Sequence, residues 1–155
     1  MTLYSNETLT SGVRLAPGSG AWDNLSDRNA KTDFAALDED AILAKVASLP
    51  VGEWRYKSES GVRHVGPMAQ DFYATFGVGD DDHHIASIDE DGVALAAIKA
   101  LNRDNTTLHR ENGRLFRENE SMRRDNSELR DRLDAIAASE AILAHQVDVL
   151  SHHRY

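Results

Sequence analysis

Apolar residues return every seven positions along the last third of the chain. Leu101, Leu108, Leu115, Met122, Leu129, Ile136, Leu143 and Leu150 are each one heptad apart. A repeat averaging 3.5 residues per turn, sustained this long, slightly under-winds a helix and keeps one seam toward a partner, as in a left-handed coiled coil. Four residues after successive members of that series come Asn105, Asn112, Asn119, Asn126 and then Leu133. The leucines therefore take heptad position d and the asparagines position a. A buried amide is costly unless another amide meets it, and only a parallel, in-register assembly sets Asn against Asn. Asp104, Glu111, Glu118 and Asp125 fall at g, with His109, Phe116, Arg123 and Arg130 five residues on at e. A parallel partner would pair Glu118 with Arg123 and Asp125 with Arg130, each exposed pair contributing a few tenths of a kcal/mol. Orientation is their contribution. The pattern predicts a stalk over 98–151, roughly 80 Å long at a rise of about 1.5 Å per residue. A buried Asn at a favours dimers, so the heptads alone leave the number of strands open.

The seam is not built for strength. Gly113 costs about 1 kcal/mol per helix relative to Ala, Glu140 falls at an a position, and the run from Ala135 to Ala144 packs thinly. Such a coil sets register better than it holds together.

Ahead of the stalk the pattern changes to short mixed elements. Asp38-Glu39-Asp40 opens a helix carrying Ile42, Leu43, Val46 and Leu49 on one side, with acids in the first turn suiting the helix dipole and Pro50 ending it. Val51 to Lys57, with Trp54 and Tyr56, reads as a strand, Ser58 to Gly61 as a turn, and Val62 to Val65 as the returning strand of a hairpin. Met68 to Phe76 reads as a short helix with Phe72, Tyr73 and Phe76, closed by Gly77. The acidic loop Asp80-Asp81-Asp82-His83-His84 follows, and Asp89 is placed to cap the helix that runs into the stalk. Before all of this, Met1 to Asn24 reads as extended chain and turns, with one strand at Gly12-Val13-Arg14-Leu15 and a Pro17-Gly18-Ser19-Gly20 punctuation. That segment buries no core of its own; Trp22 and Leu25 are its large apolar residues near the junction. The fold class predicted is α+β, a small globular domain with a β-hairpin and short helices, followed by a long parallel coiled coil. The divisions are 1–25, the end of an upstream passenger, 26–97, the globular domain, and 98–151, the stalk.

Composition narrows the function. With the stalk set aside, fewer than a hundred of the 155 residues remain to form a core, a size at which oligomerisation supplies part of the stability. The chain has no cysteine, hence no disulfide framework and no thiol nucleophile. No apolar run approaches a membrane span, and the N-terminus lacks the basic and apolar regions of a signal peptide. A net charge of -9 disfavours nucleic acid as a partner. A leucine heptad also occurs in zipper-type DNA binders, where a basic helix precedes the zipper. Here Ile88-Asp89-Glu90-Asp91-Gly92-Val93-Ala94-Leu95-Ala96-Ala97 stands in that place, and the eight arginines between Leu101 and Leu133 are nearly matched by seven acids.

Several motifs occur in one order: Ser26-Asp27-Arg28-Asn29-Ala30-Lys31, Leu49-Pro50-Val51-Gly52-Glu53-Trp54-Arg55-Tyr56, Arg63-His64-Val65-Gly66-Pro67-Met68-Ala69-Gln70, and Asp89 leading into a helix and coil. Over Ser26 to about Leu101 this resembles the endosialidase-type intramolecular chaperone domain found at the C-terminus of phage tail spikes and fibres, related bacterial surface fibres and the myelin regulatory factor. The resemblance implies a parallel homotrimer that helps an upstream fibre reach its trimeric fold and then cuts itself away, its partners being its own copies and that passenger. It implies phage virion assembly or a bacterial surface fibre as the setting, with folding in the cytoplasm, and no cofactor. It implies a serine-lysine dyad cutting on the N-terminal side of the motif serine. In this chain the bond is Leu25–Ser26, with Ser26 and Lys31 in the catalytic positions.

The chemistry sets its own demands. A serine hydroxyl is a poor nucleophile near neutral pH, and an ordinary charged lysine cannot take its proton, so a base role requires that Lys31 be removed from water. Five residues of separation do not stack on one face of a straight helix, so 26–31 must form a turn or a distorted first helical turn. The oxyanion forming on the Leu25 carbonyl needs donors, from backbone N–H groups of that turn or from a side chain. On spacing alone, a serine before aspartate is a helix N-cap and a later lysine a solvated charge; the resemblance is what favours catalysis. His64, Asp27 and Gln70 are candidate supporting residues, with satisfied structural groups as the competing reading. Asp80 to His84 imitates a metal site, but adjacent histidines seldom both face one ion, so no metal is expected. His152-His153 carries no informative spacing, and phosphate-cradling glycine loops are absent. The competing function is a coiled-coil oligomerisation cap that never cuts.

Overall fold

A computed structural model of the chain describes residues 1–152, so His153 of the histidine pair lies outside the described residues. The chain divides into two compact units, Met1–Arg103 and the residues from Asp104 onward.

The first unit opens with a three-stranded antiparallel sheet, β1 (Thr2–Tyr4), β2 (Gly12–Leu15) and β3 (Trp22–Asn24), with β2 in the middle. The pattern predicts β2 alone. The flanking strands are only three residues long, too short for alternation to mark them, and hold through the ladder. Beyond its last pair the sheet is tied by Leu15 N to the Met1 carbonyl at 2.8 Å. Gly12 is indispensable to this sheet. Its φ is +149°, and a Cβ there would stand 2.0 Å from the Leu3 carbonyl oxygen. No residue of the sheet is fully buried, as expected of a segment with no core of its own.

Helix α1 (Glu39–Ser48) begins where Asp38 Oδ1 accepts from Ala41 N at 3.0 Å and ends at Leu49, held extended before Pro50. The hairpin then forms between β4 (Gly52–Trp54) and β5 (His64–Gly66), with Gly52 opposite Gly66 and Trp54 opposite His64. Both strands are shorter than the sequence pattern predicts, because residues 55–63 leave the ladder in a wide loop. Arg63 closes that loop by donating from Nε to Glu53 Oε2 at 2.9 Å. Helix α2 (Ala69–Phe76) stops at Gly77, whose φ of 66° is left-handed and costs glycine little.

Helix α3 spans Ser87–His152. It starts two residues before Asp89, so Asp89 is not its cap. Asp89 lies in the first turn with Glu90, where an acid still faces the positive end of the helix dipole.

The buried core of the described residues consists of Phe72 and three small residues of α3, Ala96, Ala97 and Ala100. The Phe72 ring meets Phe76 at 4.9 Å. Lys99 pairs with Glu39, and Arg103 reaches both Glu39 and Asp40, fastening the start of α1 to α3. In heptad terms Ala96, Ala97, Lys99, Ala100 and Arg103 occupy f, g, b, c and f. The domain thus covers the outer face of α3 and one flank of the seam at Ala97, while Leu95, Ile98 and Leu101 on the seam side stay about 60% exposed (63%, 61% and 58%).

In the second unit α3 continues with no buried residue among those described. Leu108, Leu115, Met122, Leu129 and Leu133 are all exposed, as are Asn105, Asn112, Asn119 and Asn126. Within the chain Glu118 pairs with Arg114 and Arg123 with Glu120. A g-to-e pair between Glu118 and Arg123 of neighbouring helices would exchange these local bonds. No described helix is long and apolar enough to cross a membrane.

Candidate active site

The segment linking the first sheet to α1 is where a serine and a lysine meet. The β-ladder runs one residue past β3, since Leu25 N donates to the Gly12 carbonyl at 2.9 Å. The next regular element is a 3₁₀ turn at Arg28–Ala30, capped by Asp27, whose Oδ1 accepts from Asn29 N at 3.0 Å. Lys31 N closes the turn on the Arg28 carbonyl at 3.2 Å, and Lys31 itself is extended. A 3₁₀ turn advances faster than an α-helix and eclipses side chains three apart. Here it folds residue 31 back over residue 26, and Lys31 Nζ donates to Ser26 Oγ at 2.6 Å. Asp27 spends its carboxylate on the turn, also accepting from Asn29 Nδ2 at 3.1 Å.

Leu25 is half-buried; Ser26 and Lys31 are exposed in the single chain. The removal from water that base catalysis demands is therefore not supplied by this chain's own residues.

The other predicted candidates lie elsewhere. His64 stacks on Trp54 at 4.7 Å, meets the Tyr56 edge at 5.4 Å and bonds through Nε2 to Glu59 at 3.1 Å. Gln70 lies in the first turn of α2 on an open cleft of about 570 Å³ that Trp54, Tyr56, Gly66, Met68 and His83 also line. Trp54 Nε1 is buried with no hydrogen-bond partner. No hydrogen bond joins His64 or Gln70 to Ser26 or Lys31 among the described residues. In the acidic loop Asp81 accepts from the backbone amides of His83 and His84 at 2.8 and 2.9 Å. The His83 amide first, then the His84 ring, holds its carboxyl below the ordinary aspartate range. Among the described residues no three metal-ligating side chains converge.

Two residues near the site escaped the sequence reading. Asn24 Nδ2 donates to Ser87 Oγ at 2.9 Å, joining the strand before Leu25 to the first residue of α3. Neither residue belongs to a motif, and 63 positions separate them.

Fold and site together define a small α+β unit with a serine-lysine contact in the segment between its first sheet and α1, and a long heptad helix. Residues 26–77 match the family model for the chaperone of endosialidase, Peptidase_S74. Over that segment the chain is similar to endosialidase-type chaperone domains, and the match begins at the serine that meets Lys31. No significant match was found among curated proteins or solved structures.

Proposed function

We propose that this chain is a homotrimeric intramolecular chaperone that helps an upstream fibre segment reach its trimeric fold and then releases itself by cutting Leu25–Ser26. The observation that carries the reading is the 2.6 Å contact between Lys31 Nζ and Ser26 Oγ, at the boundary where the chaperone-family match starts. In this reading the neutral Lys31 amine takes the Ser26 hydroxyl proton while Oγ adds to the Leu25 carbonyl carbon. The bond from Leu25 C to Ser26 N then breaks, and the Lys31 ammonium returns the proton to the leaving nitrogen. The product is an ester of Leu25 on Ser26 Oγ. Water, with Lys31 again as base, hydrolyses it to a chain ending at Leu25 and one starting at Ser26.

The reading also accounts for the exposure of the dyad. A solvated pair is inactive, so the pocket is completed by neighbouring protomers, and cutting waits for assembly. The seam-side residues Leu95, Ile98 and Leu101 are open for that association, with the domain covering the outer face of α3 and the g flank at Ala97. Exposure of Ser26 and Lys31 is also what a cap that never cuts would have. The two readings separate by intact mass. On self-release, the wild-type chain yields a fragment ending at Leu25 and a product beginning at Ser26. Ser26→Ala and Lys31→Ala stay full length, a loss of at least a thousandfold in rate. Cutting of either variant at Leu25–Ser26 removes the dyad, and an uncut wild-type trimer supports the cap.

A further inference from the structure

The bond assigned to cleavage is anchored on both sides, and one anchor comes from α3. Downstream, Ser26 is held by Lys31 and by the turn that Asp27 caps. Upstream, the Leu25 amide is held by the Gly12 carbonyl, and the adjacent Asn24 side chain by Ser87 Oγ at 2.9 Å. β3 is an edge strand, so its outer side offers no ladder to fix it. Side chains alternate along a strand, which puts Asn24 on the face opposite Asp23. Asp23 is engaged by Arg14 within the sheet at 2.8 Å. Among the described residues, Asn24 to Ser87 is the one hydrogen bond joining residues 1–25 to anything beyond the Leu25–Ser26 bond. Ser87 opens a helix that reaches the exposed seam residues Leu95 and Ile98 within three turns, about 16 Å along a rigid element.

We infer that Asn24 and Ser87 form a latch, a pair of positioning residues that ties the strand entering the scissile bond to the helix on which the chains associate. Resting on the reading that Leu25–Ser26 is the bond cut, the latch supplies the route by which assembly regulates cutting. Fixing α3 in the seam fixes Ser87, Ser87 fixes Asn24, and the Leu25 carbonyl is then held still in front of Ser26 Oγ. Misplacing a reacting carbonyl by a fraction of an ångström slows a reaction whose advantage is proximity.

The test uses the full chain in a double-substitution cycle. Asn24→Ala and Ser87→Ala should each slow appearance of the Ser26-starting product roughly tenfold. The double variant should be no slower than either single, because both remove one bond. Ser87→Thr, which keeps the hydroxyl, should cut near the wild-type rate. The pH midpoint of cutting should stay put while the plateau falls, and light scattering should give the wild-type molar mass throughout. Single variants that cut as fast as wild type, a double variant slowed multiplicatively, or variants that no longer assemble would each overturn the latch. A second readout needs no chemistry. In the Ser26→Ala background, Ser87→Ala should speed amide hydrogen exchange at Leu25 about tenfold, and unchanged exchange overturns the latch even if the wild-type chain is never cut. An uncut wild-type chain with faster exchange in the Ser87 variant sinks the cleavage reading and leaves the latch standing.

Discussion

The first turns of α3, up to Arg103, and the turns from Asp104 onward share one helix and one heptad phase, yet they are treated differently. In the first, Ala96, Ala97 and Ala100 are buried and Lys99 and Arg103 are tied to α1, all on the outer face except Ala97 on one flank of the seam. In the second, nothing among the described residues is buried and the same leucine phase continues bare. An isolated helix with exposed leucines at every d position has no packing to hold it, and helices in water gain most of their stability from such packing. The difference teaches where the chain is complete and where it is not. Small alanines let a domain lie close against one side of the helix, whereas the seam-side residues Leu95, Ile98 and Leu101 are left uncovered.

The sharpest way to break the contrast is to spoil the bare face. Leu108→Glu with Leu115→Glu places charges in two successive d layers, where desolvating them outweighs what the neighbouring Asn layers can return. Assembly should be lost outright, read by light scattering as monomers, and cutting at Leu25–Ser26 should fall with it by at least a hundredfold. Phe72→Ala attacks the core of the first unit instead. It removes the one large buried side chain among the described residues, 4% exposed, and should cost about 3 kcal/mol in denaturant unfolding while leaving the stalk helix in place. The smallest effect is electrostatic. Lys99 first, then Arg103, holds the Glu39 carboxyl below the ordinary glutamate range, so the folded state favours its ionised form. That contribution is present above the ordinary value and is lost as pH falls through the folded one. Below about pH 4, amide exchange in α1 should quicken before exchange around Leu115 changes.

The legible parts of the fold were those with strong local chemistry. The heptads mark α3, Asp38 marks the start of α1, and Gly77 marks the end of α2 with a backbone angle that glycine adopts cheaply. β2 could be read because Val13 and Leu15 alternate with Arg14; β1 and β3 could not, since three residues give no period and their stability lies in the ladder. The hairpin was legible in its order but not its length, because whether residues 55–63 stay in register depends on side chains such as Arg63 finding Glu53. Asp89 has capping chemistry, but the helix begins two residues earlier, where the Ala86 carbonyl accepts from Glu90 N, and only the backbone decides that. At the site, the need for a turn between Ser26 and Lys31 was readable from the spacing and corresponds to the 3₁₀ turn at Arg28–Ala30. The Asn24 contact with Ser87 was beyond reach, since nothing local announces a bond across 63 positions.

One measurement bears most directly on the claim that cutting waits for the seam to close: intact mass of wild-type chain refolded at a series of decreasing concentrations. The account predicts that the fraction cut between Leu25 and Ser26 collapses as dilution prevents association, and recovers when the dilute chain is concentrated. A fraction that stays the same at every concentration would contradict it, because the serine would then need nothing from a second copy.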